Sequence, residues 1–226
     1  MARTRTAATL RIVDVIEQYG RCLELVSMDP NFHGISVGLY AKEGVATVWT
    51  FSRRPGVEER LRKIRDQLVA LGGLEPVAGT HDQIRSACGQ LHGRPTKFLM
   101  MQAVEKDPNY SLPDGETGVK DLRSGLMLGV DSEERDGRVV YHVKATGDAP
   151  NRAARLRAVA SGFVRYGEME TTEDGGVVFP CGYRHDELVR LLLPYARNVR
   201  QVDDMLEAGD MRGQMTTGTL GFTPPT

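Results

Sequence analysis

Histidine and cysteine side chains recur at short, similar spacings in two distant parts of this 226-residue chain. In the first part, His81, Cys88 and His92 are spaced so that one continuous helix would carry all three on a single face. Thiolate and imidazole are the groups that zinc prefers, so these three are candidate metal ligands. Cys181 and His185 repeat the spacing of the last two. The second part lacks a third ligand, and glycines after the first cysteine interrupt a helix, so no metal or other cofactor is predicted.

Two His-Asp pairs have the residue types of acid–base catalysis. They are His81-Asp82 and His185-Asp186, and each is expected at the start of a helix. Adjacent helical side chains diverge by about 100°, so the two members of a pair cannot easily form a catalytic dyad. Thr80 and Gln83 fit a capping box, which predicts that a helix begins there. A metal-assisted hydrolase that uses the two histidines is kept as an alternative function.

Arginines occur on two similar segments that align without a gap, Pro55–Gly73 and Pro150–Glu168. In the first segment, glutamates four residues upstream can pair with the basic side chains. The second segment has almost no acidic residues of its own, and unpaired guanidinium groups suit phosphate or carboxylate ligands. Its arginines are therefore candidate ligand-binding residues: Arg152, Arg155 and Arg157.

Trp49, the only tryptophan, and Tyr141 fall in two similar predicted hairpins, where each is either a core residue or a ligand contact. If the Trp49 ring stacks on a nucleic-acid base, a second alternative function is nucleic-acid binding. Its basic residues would be Arg53, Arg54, Arg60 and Arg62. The formal net charge of −1 and the glutamates among these arginines argue against it.

These residues are carried by two copies of one pattern. Each copy has two alternating strands with a tight turn, the arginine-containing helix, a short strand and a second helix. The turns are expected at Lys42-Glu43-Gly44 and at Asp136-Gly137, and the first arginine-containing helix is expected to bury an apolar stripe from Val57 to Leu71. Only the first copy has a helix before the strands, and whether 97–105 is helix or strand is left open. The sequence predicts an α+β fold with an internal duplication of a strand-strand-helix-strand-helix unit, antiparallel sheets and a pseudo-two-fold arrangement.

Composition along the chain predicts the domain boundaries. The first repeat with its N-terminal helix covers 1–105, and a loop-rich linker covers 106–124. The second repeat covers 125–208, and a flexible tail rich in glycine and threonine covers 209–226.

Bulk properties favour a globular protein of the cytoplasm. The residues are 40% hydrophobic and 26% charged, and the three cysteines contain no Cys-x-x-Cys, as expected for free thiols in a reducing compartment. No signal peptide or membrane span is predicted.

No phosphate-binding loop or nucleophile motif is present in the sequence. The leading hypothesis is therefore a non-catalytic module of unknown function that binds an anionic small molecule or a protein. Its binding site is expected in a groove between the two repeats. Homo-oligomer formation is left open.

Overall fold

A computed structural model gives the architecture of the chain. It describes residues 12–26, 35–105, 118–121 and 123–198. The chain divides into two compact units, Met1–Leu112 and Pro113–Thr226. The division falls inside the predicted linker, whereas the predicted tail at 209–226 lies outside the described residues.

The first unit combines a five-stranded sheet with three helices. Its elements are α1 (Ile12–Tyr19), β1 (Arg21–Val26), β2 (Val37–Lys42), β3 (Val45–Trp49), α2 (Val57–Gly72), β4 (Glu75–Pro76), β5 (Gln83–Arg85) and α3 (Gly93–Glu105). The strand order is β1-β2-β3-β5-β4, and neighbouring strands are antiparallel. The segment 97–105 is helical, because it lies within α3.

The second unit repeats this arrangement without a described counterpart of α1. Its elements are β6 (Gly118–Lys120), β7 (Met127–Arg135), β8 (Arg138–Thr146), α4 (Arg152–Gly167), β9 (Glu170–Thr171), β10 (Val177–Val178) and α5 (Asp186–Ala196). The strand order is β6-β7-β8-β10-β9, again antiparallel. The α+β class with antiparallel sheets is confirmed, and the matching order of elements favours the predicted duplication. The pseudo-two-fold arrangement stays a prediction.

The two central hairpins close with the same turn. Glu43 and Gly44 join β2 to β3 with φ angles of 52° and 78°. Asp136 and Gly137 join β7 to β8 with φ angles of 51° and 73°. Two consecutive positive φ angles define a type I′ turn, whose twist matches that of the strands it connects. Both hairpins were predicted from these residues.

The paired helices α2 and α4 are also as predicted, with 16 residues each. The expected apolar stripe of α2, from Val57 to Leu71, is buried. In α4, Val159, Phe163 and Tyr166 are buried in the same way. Both helices end on a residue in the left-handed conformation, with φ of 58° at Gly73 and 56° at Glu168. Each helix therefore covers its own unit's core and stops at a defined point.

Three strand assignments differ from the sequence prediction. A helix was expected to begin at His81, but residues 83–85 form β5, and the Thr80 hydroxyl donates to the Val77 carbonyl oxygen at 2.8 Å. The predicted capping box is therefore wrong. Two further strands were not anticipated, β1 and β6, and β6 lies within the stretch predicted as linker. Each sheet thus gains an outer strand beside its central hairpin.

Across the described ranges, no helix is long and apolar enough to cross a membrane.

Candidate metal-binding pairs

Each unit places a Cys-Gly-x-x-His segment between its fifth strand and its last helix. After β5 the segment is Cys88 to His92, and after β10 it is Cys181 to His185. The glycine that follows the cysteine has a φ of 74° in the first unit and 75° in the second. In both units its N–H donates to the carbonyl oxygen three residues back, at 2.9 Å. The chain reverses identically in the two repeats, and the last helix begins directly after the histidine.

This turn brings the first cysteine and histidine into contact. The Cys88 Sγ lies 3.4 Å from the His92 Nε2, and the imidazole is buried. The sulfur also accepts the Gln90 N–H at 3.4 Å. Thr96, one turn into α3, donates its hydroxyl to the His92 carbonyl oxygen at 2.6 Å. The histidine backbone is therefore held by the helix that it precedes.

The second pair has the same geometry with different support. The Cys181 Sγ lies 3.2 Å from the His185 Nε2. The His185 ring is buried and lies at 77° to the Phe179 ring, with 4.9 Å between the ring centroids. Its backbone N–H donates to the Tyr141 hydroxyl at 2.6 Å. Burial raises the pKa of Tyr141 above its usual range, so this hydroxyl is neutral over the physiological range of pH.

The two contact distances suit a shared metal ion as well as a hydrogen bond. Zinc binds sulfur at about 2.3 Å and imidazole nitrogen at about 2.0–2.1 Å, so these atoms stand about 3.6 Å apart across a tetrahedral ion. The observed 3.4 and 3.2 Å are close to that value. Each of the four side chains offers one ligand atom. Two ligands of this kind fill half of the tetrahedral shell that a zinc ion takes.

His81 does not join the first pair. It lies in an exposed turn before β5, whereas Cys88 lies after that strand and His92 stands at the start of α3. The three side chains therefore do not share one continuous helix, in agreement with the glycines that interrupt this stretch. The structural counterpart of His185 is His92, not His81, because only His92 directly precedes the last helix of its unit.

Two of the three arginines predicted to bind an anion form hydrogen bonds with groups of the protein itself. Arg152 donates to the Ala145 carbonyl oxygen. Arg155 forms two hydrogen bonds to the buried carboxylate of Asp121, at 2.6 and 2.9 Å, and a third to the Arg197 carbonyl oxygen. Arg157 is exposed on α4. An anion site at these residues stays a prediction, and Arg155 would have to leave its carboxylate to serve it.

Of the four basic residues considered for nucleic-acid binding, one is buried and bonded to the protein and three are exposed. Arg60 is buried and donates to the Val104 carbonyl oxygen at 3.4 Å, near the end of α3. The other three are exposed around the start of α2: Arg53, Arg54 and Arg62. Arg60 occupies the place in its unit that Arg155 occupies in the other, since both bond a carbonyl near the end of the last helix.

Trp49 and Tyr141 are not equivalent residues. Trp49 pairs with Gly38 in the first sheet, whereas the matching glycine of the second, Gly129, pairs with Lys144. Trp49 is half-buried in a cluster of aromatic rings, and its ring centroid lies 4.3 Å from that of Phe51. Tyr141 is buried under α5 and accepts the His185 N–H described above.

A second group of potential ligands lies at the far end of the β7–β8 hairpin. Glu133, His142 and Asp174 place their ligand atoms close together, but the two carboxylates are exposed and the imidazole is only half-buried. Arg135 already bridges the two carboxylates, bonding Asp174 at 2.6 Å and Glu133 as well. A guanidinium group thus satisfies these acids, so an ion would have to displace it.

The duplicated motif was visible in the sequence but was not recognised as a unit. Cys88–His92 and Cys181–His185 have equal spacing, but the aspartate that follows both His81 and His185 favours the wrong match between these two histidines. The glycine that follows each cysteine is the signal that identifies the correct match. Comparison with known protein families, with curated proteins and with solved structures gave no match.

Proposed function

We propose that the protein binds one zinc ion through Cys88, His92, Cys181 and His185, and that the ion has a structural role. The observation that supports this proposal is the Cys–His contact built by the same turn in both repeats. Two ligands do not complete the tetrahedral shell of zinc, and the chain carries two such pairs.

The ligand types decide between metals. Thiolate and imidazole suit zinc and other late transition metals, whereas magnesium and calcium take oxygen ligands. A set of two cysteines and two histidines is complete without water, as in structural zinc sites, while catalytic sites keep one position open. The proposal therefore agrees with the expectation of a non-catalytic protein, and it makes His185 a ligand rather than the general base of a hydrolase. The groove for a further ligand stays a prediction.

Metal content and spectroscopy test the proposal. We expect the purified chain to contain one equivalent of zinc by elemental analysis. After exchange for cobalt, we expect the intense visible bands of a tetrahedral Co²⁺ ion with thiolate ligands. Removing zinc should lower the melting temperature. Free zinc at a thousandfold excess over Kd would stabilise the fold by about 4 kcal/mol. For a chain of this length that is about 8–16 °C.

Cysteine variants test whether both pairs hold the same ion. Cys88→Ser and Cys181→Ser should each abolish the cobalt spectrum, and Cys22→Ser is the matched control because this thiol is exposed on β1. If each pair bound its own ion, each single variant would keep half of the metal. If neither variant lost metal, or the protein took up none, the short Cys–His contacts would be simple hydrogen bonds and the proposal would fail.

A further inference from the structure

The second unit contains a cavity between its sheet and α5. Its volume is about 360 Å³, which lies within the ~300–1,000 Å³ range of small-molecule pockets. Val130 of β7 contributes to one wall, and Val189 and Leu193 of α5 to the other. The last two side chains are buried. The interior therefore offers an apolar surface of a size that suits one small aliphatic group.

The charged groups around this cavity fall into two sets. Asp131 forms an ion pair with Lys144, and Asp186 forms one with Arg184 at 3.2 Å, so their charges are balanced by the protein. Glu187 and Arg190 also line the cavity and lie about one turn apart on α5. Among the described residues, no ion pair involves either of these two. One carboxylate and one guanidinium therefore line the cavity with no counter-ion from the described part of the chain.

We propose that this cavity binds a free α-amino acid with an apolar side chain. Glu187 would accept hydrogen bonds from the ligand's ammonium group, and Arg190 would donate to its carboxylate, the geometry that a guanidinium suits best. The aliphatic side chain would lie against Val130, Val189 and Leu193. A simple amine or a simple acid would satisfy only one of the two charged side chains, which gives the site its selectivity for a zwitterion.

None of the four proposed metal ligands lines this cavity, but one lining residue forms a hydrogen bond with a proposed ligand. Tyr141 lines the cavity, and its hydroxyl accepts the backbone N–H of His185. Binding of the amino acid does not require the ion, so the titrations are made on both zinc-loaded and metal-free protein. Failure of the metal proposal would leave the binding of the amino acid unchanged.

Calorimetric titration of the full chain with L-leucine tests the assignment. We expect saturable binding, and we expect it to weaken at least about tenfold for leucinol, which lacks the carboxylate, and for 4-methylpentanoate, which lacks the ammonium group. L-Aspartate should not compete, because its side chain would bring a charge against the apolar wall. Equal binding of leucinol would make the site a cation site and overturn the proposal.

Two charge-removing variants complete the test. Glu187→Gln and Arg190→Gln should each weaken L-leucine binding by about tenfold or more, since a charged hydrogen bond is lost. Arg165→Gln is the matched control, because this arginine is exposed on α4 and does not line the cavity. Circular dichroism checks that all three variants are folded. The assignment is wrong if leucine, isoleucine, valine and methionine all fail to bind at about 10 mM, or if the two variants bind leucine like the control.

Discussion

Replacing Asp121 with asparagine would remove one charge from a buried ion pair of the second repeat. The Asp121 carboxylate is 2% exposed and accepts hydrogen bonds from Arg155 at 2.6 and 2.9 Å. The Ser124 hydroxyl donates to it at 2.6 Å. Asparagine keeps the size of the side chain and part of this hydrogen bonding, so the substitution mainly removes the negative charge beside the guanidinium.

The pKa of Asp121 sets the magnitude. Burial alone would raise it, but the hydrogen bonds from Arg155 and Ser124 and the arginine's charge lower the pKa to about 2, from 3.8. One pKa unit is worth about 1.4 kcal/mol, so the ionised form stabilises the fold by about 2.5 kcal/mol. Because the folded-state pKa is depressed, this stabilisation is present above pH 3.8 and is lost as the pH falls toward 2.

Urea unfolding followed by circular dichroism measures the effect. At pH 7 we expect Asp121→Asn to lower the free energy of unfolding by about 2.5 kcal/mol. At pH 3 we expect a decrease of only about 1.3 kcal/mol, because Asp121 of the unfolded wild-type chain is then largely protonated. Asp131→Asn is the control, since Asp131 is 65% exposed in its pair with Lys144. Exposed pairs of this kind contribute less than about 1 kcal/mol.

Two results would refute this reasoning. One is an Asp121→Asn variant no less stable than Asp131→Asn at pH 7. The other is a difference from the wild type that does not narrow at pH 3. In either case Arg155 would not depend on its carboxylate, and the sequence-based hypothesis that it binds an external anion would become more attractive.

Two further predictions concern packing and alkaline pH. Gly162→Ala would place a Cβ 2.1 Å from the Ala196 carbonyl oxygen, so α4 and α5 must move apart. We expect the free energy of unfolding to fall by about 1–3 kcal/mol, measured as a lower melting temperature. Ala153→Ser, on the exposed face of α4, is the control and should have little effect. Burial, with a smaller contribution from Cys22, raises the pKa of Tyr40 from 10.0 to about 12. The neutral Tyr40 side chain therefore stabilises the fold below pH 10, and this stabilisation is lost between pH 10 and 12. Tyr40→Phe should flatten the fall in melting temperature over that interval, and an unchanged slope would contradict the assignment.

Local sequence signals were enough for much of the fold. The Glu43-Gly44 and Asp136-Gly137 dipeptides predicted the turns because positive φ angles there favour these residue types. The apolar spacing of α2 predicted both a helix and its buried face. The three-residue strand β5 was missed because only Ile84 of it is buried, so no alternation is visible, and Thr80 with Gln83 imitates a helix start. Such a strand is specified by pairing with β3, which the local sequence does not show.

The candidate site was only half predictable for the same reason. Spacing identified Cys88 and His92 as ligand types, but the turn that joins them depends on the left-handed φ of Gly89. The partner of Arg155 is 34 residues upstream, at Asp121, beyond the reach of the i,i+4 comparison that made this arginine appear unpaired. Contacts between distant segments decide which charges are available, and only the folded chain reveals them.

The aromatic cluster around Trp49 gives the protein an internal optical reporter. Because the chain has a single tryptophan, within the sheet of the first unit, its emission follows the environment of that unit alone. A cobalt spectrum would follow the metal ligands, and far-ultraviolet circular dichroism follows the helices of both repeats. Comparing the midpoints of the three signals in one denaturation series would show whether the two halves lose their structure together or in sequence, without any label being introduced.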